Sequence, residues 1–181
     1  MLYRNSITAR FSMDNKKELL PVVDESGNIV GKVERGIAHN GSKILHPVVH
    51  LHVFSPEGYI YLQKRPDWKD VQPGKWDTAV GGHIDYGEDV SEALKREIYE
   101  ELGINQCKIE KLGYYVFESE IEKELVYVNK TVYSGIIRPD IHELNGGKFW
   151  KREEILDCIG KCIFTPNFEH EYLKFFAANN S

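Results

Sequence analysis

The chain has 181 residues, 41% of them hydrophobic, and a formal net charge of −5. That length suits one domain with a sizeable core, and a modest negative charge without a basic patch argues against a nucleic acid polymer as partner. No apolar run approaches the roughly 20 residues a membrane span needs, and "MLYRNSITARFSMDNKKELL" lacks a signal-peptide apolar segment; a cytoplasmic protein with no membrane partner is expected.

Residues 1–18 are polar and without a clear period. They read as a flexible extension, with Met13 an alternative start, ahead of a single domain over 19–181. "LLPVVDESGNIVGKV" reads as a hairpin turning at "ESGN". "VVHLHVF" and "YIYLQKR" flank "SPEG", a second and stronger hairpin. "VQPGKWDTAVGG" holds a Pro-Gly turn and a short strand. A helix follows: Asp89 is its N-cap, Glu92 completes a capping box, and Gly103 stops it. "CKIEKLGYYVFESE" and "ELVYVNKTVYSGII" read as strands rich in Tyr, Val and Ile. "GGKFWKREEILDCIG" turns at Gly146-Gly147, adds a short edge strand and starts a helix. The tail shows helical apolar spacing at Phe168, Tyr172, Phe175 and Phe176. Strand pairs around one central helix, with helices at the end, predict an α/β fold with a mixed sheet between helices. Cys158 and Cys162 read as free thiols on one helical face rather than a zinc site.

The central helix concentrates negative charge. Leu94, Ile98 and Leu102 form a stripe suited to packing on a sheet. Glu97, Glu100 and Glu101 share another side, because residues three and four apart are helical neighbours. They repel one another and lie near the helix C-terminus, where the macrodipole disfavours anions. One reading is a solvated acidic face balanced by Lys95 and Arg96. The other is a site for Mg²⁺ or Mn²⁺, which bind through carboxylates and bridge to phosphates.

The stretch Gly82, Glu88, Arg96, Glu97, Ile98, Glu100, Glu101, Gly103, Ile104 resembles the signature of the Nudix (MutT-like) hydrolases at every fixed position. The resemblance implies an α/β/α sandwich with a mixed sheet, and a metal-dependent pyrophosphohydrolase. Its substrate class would be a nucleoside diphosphate linked to X, or a related organic diphosphate. It implies that Glu97, Glu100, Glu101 and the Gly82 carbonyl hold the cation and that Arg96 orients a catalytic carboxylate. Glu88 falls at a position more often structural. Glu97 is a candidate base. A base on a later loop would fall in "FESEIEKEL", among Glu118, Glu120, Glu122 and Glu124. Lys64, Arg65 and Lys69 are candidate phosphate contacts, and Trp76 reads as core.

The chain also resembles the Nudix-type isopentenyl-diphosphate isomerases. Those hold a metal with histidines at positions matching His39, His46 and His83 and glutamates matching Glu122 and Glu124. Their cysteine before "GH" is Gly81 here, and glycine cannot shuttle a proton. A hydrolase is therefore the first expectation, with an isomerase or a non-catalytic ligand-binding module as alternatives. His50 and His52 read as packed or solvated. The aromatic tail suits packing on its own sheet or on a second copy in a homodimer.

Overall fold

The longest strands of the sheet, β3 (Leu45–Phe54) and β8 (Lys123–Val132), run parallel along the register Leu45↔Lys123 to Phe54↔Val132. The computed structural model describes residues 15–69 and 71–177. Around this pair lie β4 (Ile60–Lys64), β5 (Trp76–Asp77), β6 (Val80–His83), β7 (Glu110–Glu118) and β9 (Gly147–Trp150), all paired antiparallel. The order is β5-β4-β3-β8-β7, with β9 on β4 and β6 on β3. β6 takes Val48–Leu51 of β3, and β4 takes Val53 and Phe54 of the same strand. The two partners diverge along β3, and the gap between them becomes the cleft.

The alternation of β3 sorts its side chains into two layers. Val49, Leu51 and Val53 pack with Ala93, Leu94, Ile98 and Leu102 of α2 (Val90–Leu102). The other face meets α3 (Arg152–Cys158) and α4 (Pro166–Phe175) through Ile60, Leu62, Ile155, Phe164, Phe168 and Tyr172. This is the expected sandwich, and the aromatic tail packs on its own sheet.

The helix signals hold in detail. The Asp89 side chain accepts from the backbone N–H groups of Ser91 and Glu92, Glu92 reaches back to Asp89 N–H, and Gly103 closes α2 in the left-handed region at φ 66°. The first hairpin, β1 (Leu19–Val23) and β2 (Ile29–Glu34), forms a separate two-stranded sheet.

Some expectations change. A short helix, α1 (Arg35–Ala38), follows β2 where no helix was anticipated. Cys162 does not share a helical face with Cys158, because α3 ends at Cys158 and Cys162 lies past Gly160 with φ 59°. Most of the expected N-terminal extension, residues 1–14, lies outside the described residues. Residues 15–18 are tied down: Arg35 N–H bonds to Glu18 O, Gly36 N–H bonds to Lys16 O, and Arg35 pairs with the Glu18 carboxylate.

A Cβ on Gly103 would meet nothing closer than 3.4 Å, so substitution there tests conformation alone. Gly103→Ala is expected to destabilise the protein by about 1 kcal/mol, the cost of a left-handed L-residue, read as a lower urea midpoint with unchanged slope.

Candidate active site

The carboxylate helix is held to β6 by Arg96. Its Nε and Nη2 donate to the two oxygens of Glu88 at 2.9 Å, Nη2 also donates to the His83 carbonyl at 3.0 Å, and Nη1 reaches Glu97 at 2.6 Å and Glu100 at 3.2 Å. The two oxygens of Glu88 fit the guanidinium edge, which makes Glu88 the structural anchor. Glu97 then lies against Gly82. A Cβ at residue 82 would collide with the Glu97 carboxyl group, so glycine is required by proximity and not by φ.

Glu101 is buried one turn further along α2, at Gly81. It accepts from Gly81 N–H and from Gln63 Nε2, both at 3.3 Å. Burial, the neighbouring Glu97 and Glu143 push its carboxyl well above the usual range. Burial likewise raises Glu97 to about 7, with Glu100 and Glu143 adding to the rise and Arg96 opposing it. Glu100 remains exposed. Glu143, in the loop between β8 and β9, lines the cleft beside this pair. Sequence reasoning missed Glu143. It belongs to no motif, and only the fold of its loop brings it to α2. That loop is tied down by Arg138 N–H on Leu102 O and Asp140 N–H on Glu101 O, which satisfy carbonyls at the helix end.

His39, His46 and His83 come together at the other end of β6. Their ligand nitrogens all lie within 4.8 Å of one another. His39 Nε2 and His83 Nε2 are 2.9 Å apart, and His39 Nδ1 is 3.3 Å from Glu122. His46 Nδ1 meets the Ile44 carbonyl at 2.9 Å, which fixes the proton there. Its Nε2 is buried with no hydrogen-bond partner. Burial holds His46 below the ordinary imidazole value; burial together with Arg35, His46 and His39 holds His83 well below it. Both are neutral, the form that binds metal. Burial and Glu122 raise Glu124 to about 8.

Both donor sets fit a divalent cation. Carboxylates around a glycine carbonyl suit Mg²⁺ or Mn²⁺, and three clustered imidazoles with Glu122 beside them suit a transition ion such as Mn²⁺. The orphaned His46 Nε2 and the cradle at Gly82 are the observations behind this fit.

The two sets share one cleft. A cavity of about 410 Å³ holds His39, His83, Glu122, Glu124, Gly82 and Glu101, and a neighbouring one of about 750 Å³ holds Glu97, Glu100 and Arg96. Arg35 and Lys69 line both. Of the expected phosphate contacts, Lys69 reaches the cleft. Arg65 lines it but is committed to the Val71 carbonyl and to Asp77. Lys64 lies elsewhere, its ammonium 5.8 Å from the ring centroid of half-buried Trp76. Within "FESEIEKEL", Glu118 pairs with Lys123 and Glu120 is exposed, whereas Glu122 reaches His39 and Glu124 lines the cleft with Asn167 on its carboxylate.

Comparison with known proteins accords with this geometry. The NUDIX domain family matches residues 44–173. An uncharacterized Nudix hydrolase of Pseudomonas aeruginosa is 30% identical over 83% of this chain and 88% of its own. An isopentenyl-diphosphate Delta-isomerase of Clavibacter sepedonicus is 32% identical over 85% of each chain. The crystal structure of DR0079 from Deinococcus radiodurans superposes with a TM-score of 0.76, covering 88% of this chain and 99% of that one at 21% identity, which supports the fold.

The raised Glu97 carboxyl gives a sign for pH dependence. The folded protein keeps a proton there that the unfolded chain releases near 4.5. This contribution to stability is complete below pH 4.5 and is lost as pH rises through about 7. A cation competes with that proton. Magnesium at about 100 times its dissociation constant is expected to raise Tm by roughly 5 °C at pH 8 and by much less at pH 5, read by calorimetry with and without Mg²⁺ at each pH.

Proposed function

The chain belongs to the NUDIX family and is a pyrophosphohydrolase of that family; from this premise we propose that it cleaves the diphosphate bridge of a nucleoside diphosphate-X or related organic diphosphate, using Mg²⁺ or Mn²⁺. The observation that carries the reading is the packing of Glu97 against Gly82 and of Glu101 onto Gly81 N–H, with Glu143 lining the same cleft. Burial and neighbouring carboxylates raise both carboxyls, a cost that a divalent cation would relieve.

Glu97, Glu100, Glu101 and the Gly82 carbonyl are the groups that would hold the ion. When bound, it neutralises phosphate oxygens and polarises the phosphorus toward attack by water. The remaining work belongs to the chain. Water attacks phosphorus, the bond to the bridging oxygen breaks, and the proton of the water passes to a carboxylate. Glu97 is that acceptor in this reading, because it lies against Gly82 in the cleft and Arg96 fixes one of its oxygens. Glu143 is the alternative acceptor. Lys69 and Arg35 lie where a second phosphate would extend. A cytoplasmic location remains part of the proposal; no helix among the described residues is long and apolar enough to cross a membrane.

A second reading is supported by the histidine cluster. Isomerisation of isopentenyl diphosphate is the reaction named for the Clavibacter relative, and His39, His46, His83, Glu122 and Glu124 lie in the same cavity region. Gly81 supplies no proton donor for that chemistry, which places hydrolysis first.

The wild-type protein with Mg²⁺ or Mn²⁺ is expected to release a phosphate-bearing product from a panel of nucleotides, nucleotide sugars, dinucleoside polyphosphates and prenyl diphosphates. Glu101→Gln is expected to fold normally by circular dichroism and to lose about 100-fold or more in kcat. A panel that stays intact throughout removes the hydrolase reading. Incubation with isopentenyl diphosphate in deuterated water, with the double bond unmoved and no deuterium taken up, removes the second.

A further inference from the structure

Behind the cleft floor lies a polar cluster that neither candidate metal set uses. Glu171 of α4 is completely buried. Its Oε1 receives Nδ1 of His50 at 2.7 Å and the Tyr115 hydroxyl at 2.8 Å, and its Oε2 receives Nε2 of His52 at 2.6 Å. An ionised carboxylate in such a place needs a compensating charge. Tyr115 does not supply it, because burial and Glu171 keep its hydroxyl protonated and neutral. His52 occupies Oε2 through Nε2, and its buried Nδ1 has no hydrogen-bond partner. His50 is the remaining donor. Burial opposes its charge, but Glu171, with Asp77 and Glu124 adding, raises it to about 9.

The second nitrogen of His50 is the one that matters for function. His50 stands opposite Gly81 in the β3–β6 register and lines the smaller cavity. A Cβ built on Gly81 would lie 3.4 Å from His50 Nε2. The missing side chain therefore leaves Nε2 facing the cleft that Glu101, His39 and His83 also line. The acidic groups that bear on this ring are Glu171 of α4, Asp77 of β5, Glu124 of β8 and Glu122 just before β8. Asp77 is already engaged by Thr78 N–H, the Thr165 hydroxyl and Arg65, and Glu124 by Asn167. A buried ion pair alone is often no more stable than apolar side chains of the same volume. What an apolar replacement would remove is the donor aimed at the cleft.

We propose that His50 is a substrate-contacting residue whose Nε2–H, exposed by Gly81, donates to a phosphate oxygen of the bound diphosphate, with Glu171, Tyr115 and His52 as the positioning residues that fix its ring. The inference rests on the hydrolase reading for its substrate class. It adds to the cleft a cationic donor on the α4 side of the sheet, opposite the carboxylates brought by α2.

The test uses the full chain labelled with ¹⁵N-histidine, methylenediphosphonate with Mg²⁺ as probe, and kinetics on the best substrate of the panel. In wild type, the His50 Nε2 signal is expected to shift on saturation while His52 stays unmoved. His50→Gln is expected to lower kcat/KM roughly ten- to hundredfold while Mn²⁺ uptake without diphosphate stays within twofold. Gly81→Ala leaves the Glu171 cluster intact and covers Nε2; it is expected to lower kcat/KM about tenfold. Glu171→Gln is expected to abolish the imidazolium signature of His50. An unmoved His50 signal at saturation overturns the inference, as does wild-type kcat/KM in both His50→Gln and Gly81→Ala. If His50 shifts although no compound is hydrolysed, the hydrolase reading fails and the diphosphate contact stands. If hydrolysis proceeds with His50 indifferent, only the contact fails.

Discussion

One guanidinium organises the acidic half of this protein. Arg96 joins Glu88 at the start of α2, Glu97 and Glu100 within it, and the His83 carbonyl on β6. Those contacts hold together groups that would otherwise repel. They also fix the distance between helix and strand so that Glu97 lies where a Gly82 Cβ would be. Arginine suits the task because its donors form a rigid planar fork; a lysine would satisfy one partner at a time. The Glu88 carboxyl is held below its ordinary value chiefly by this contact, while burial raises Glu97 despite it. The guanidinium therefore settles the anchor and engages one oxygen of Glu97, whose carboxyl burial still raises.

The same constraint explains why the cleft has two chemical ends. β6 is only four residues long. Its Gly82 faces the carboxylates, and its last residue, His83, belongs to the imidazole cluster. Locating Arg96 on the His83 carbonyl thus couples the two ends through one short strand. Carboxylate oxygens gather at one end and imidazoles at the other, so hard oxygen donors and softer nitrogen donors lie within one cavity system.

Much of this was legible in the sequence, for a specific reason. The cap, the box, the terminal glycine and the leucine stripe of α2 are local features, and local features survive the loss of three-dimensional context. The signature spacing brings Glu97 to Gly82 and Glu101 to Gly81 because helical geometry turns spacing into direction. Glu143, Glu171 and the role of His50 were not legible. Each depends on elements distant in sequence: a loop crossing the end of α2, a terminal helix packing under β3, and a glycine on the neighbouring strand. Lys64 shows the converse. Its position next to Arg65 suggested phosphate binding, but adjacent strand residues point to opposite faces, and its side chain went to Trp76. The histidine cluster was readable only through resemblance. No local period links His39, in the turn after α1, to His83.

The site sits where it does because β3 changes partners. Along Val48–Leu51 it pairs with β6, and by Val53 it pairs with β4. A continuous sheet would separate the α2 layer from the α4 layer entirely. At the divergence the separation fails, so Glu101 reaches Gly81 N–H and Gln63 from the α2 side while His50 approaches the same glycine from the α4 side. Side chains from opposite faces thereby converge on one backbone position without a side chain. A larger residue at Gly81 would close the opening between the layers, and the acidic and cationic halves of the cleft would no longer act on one substrate.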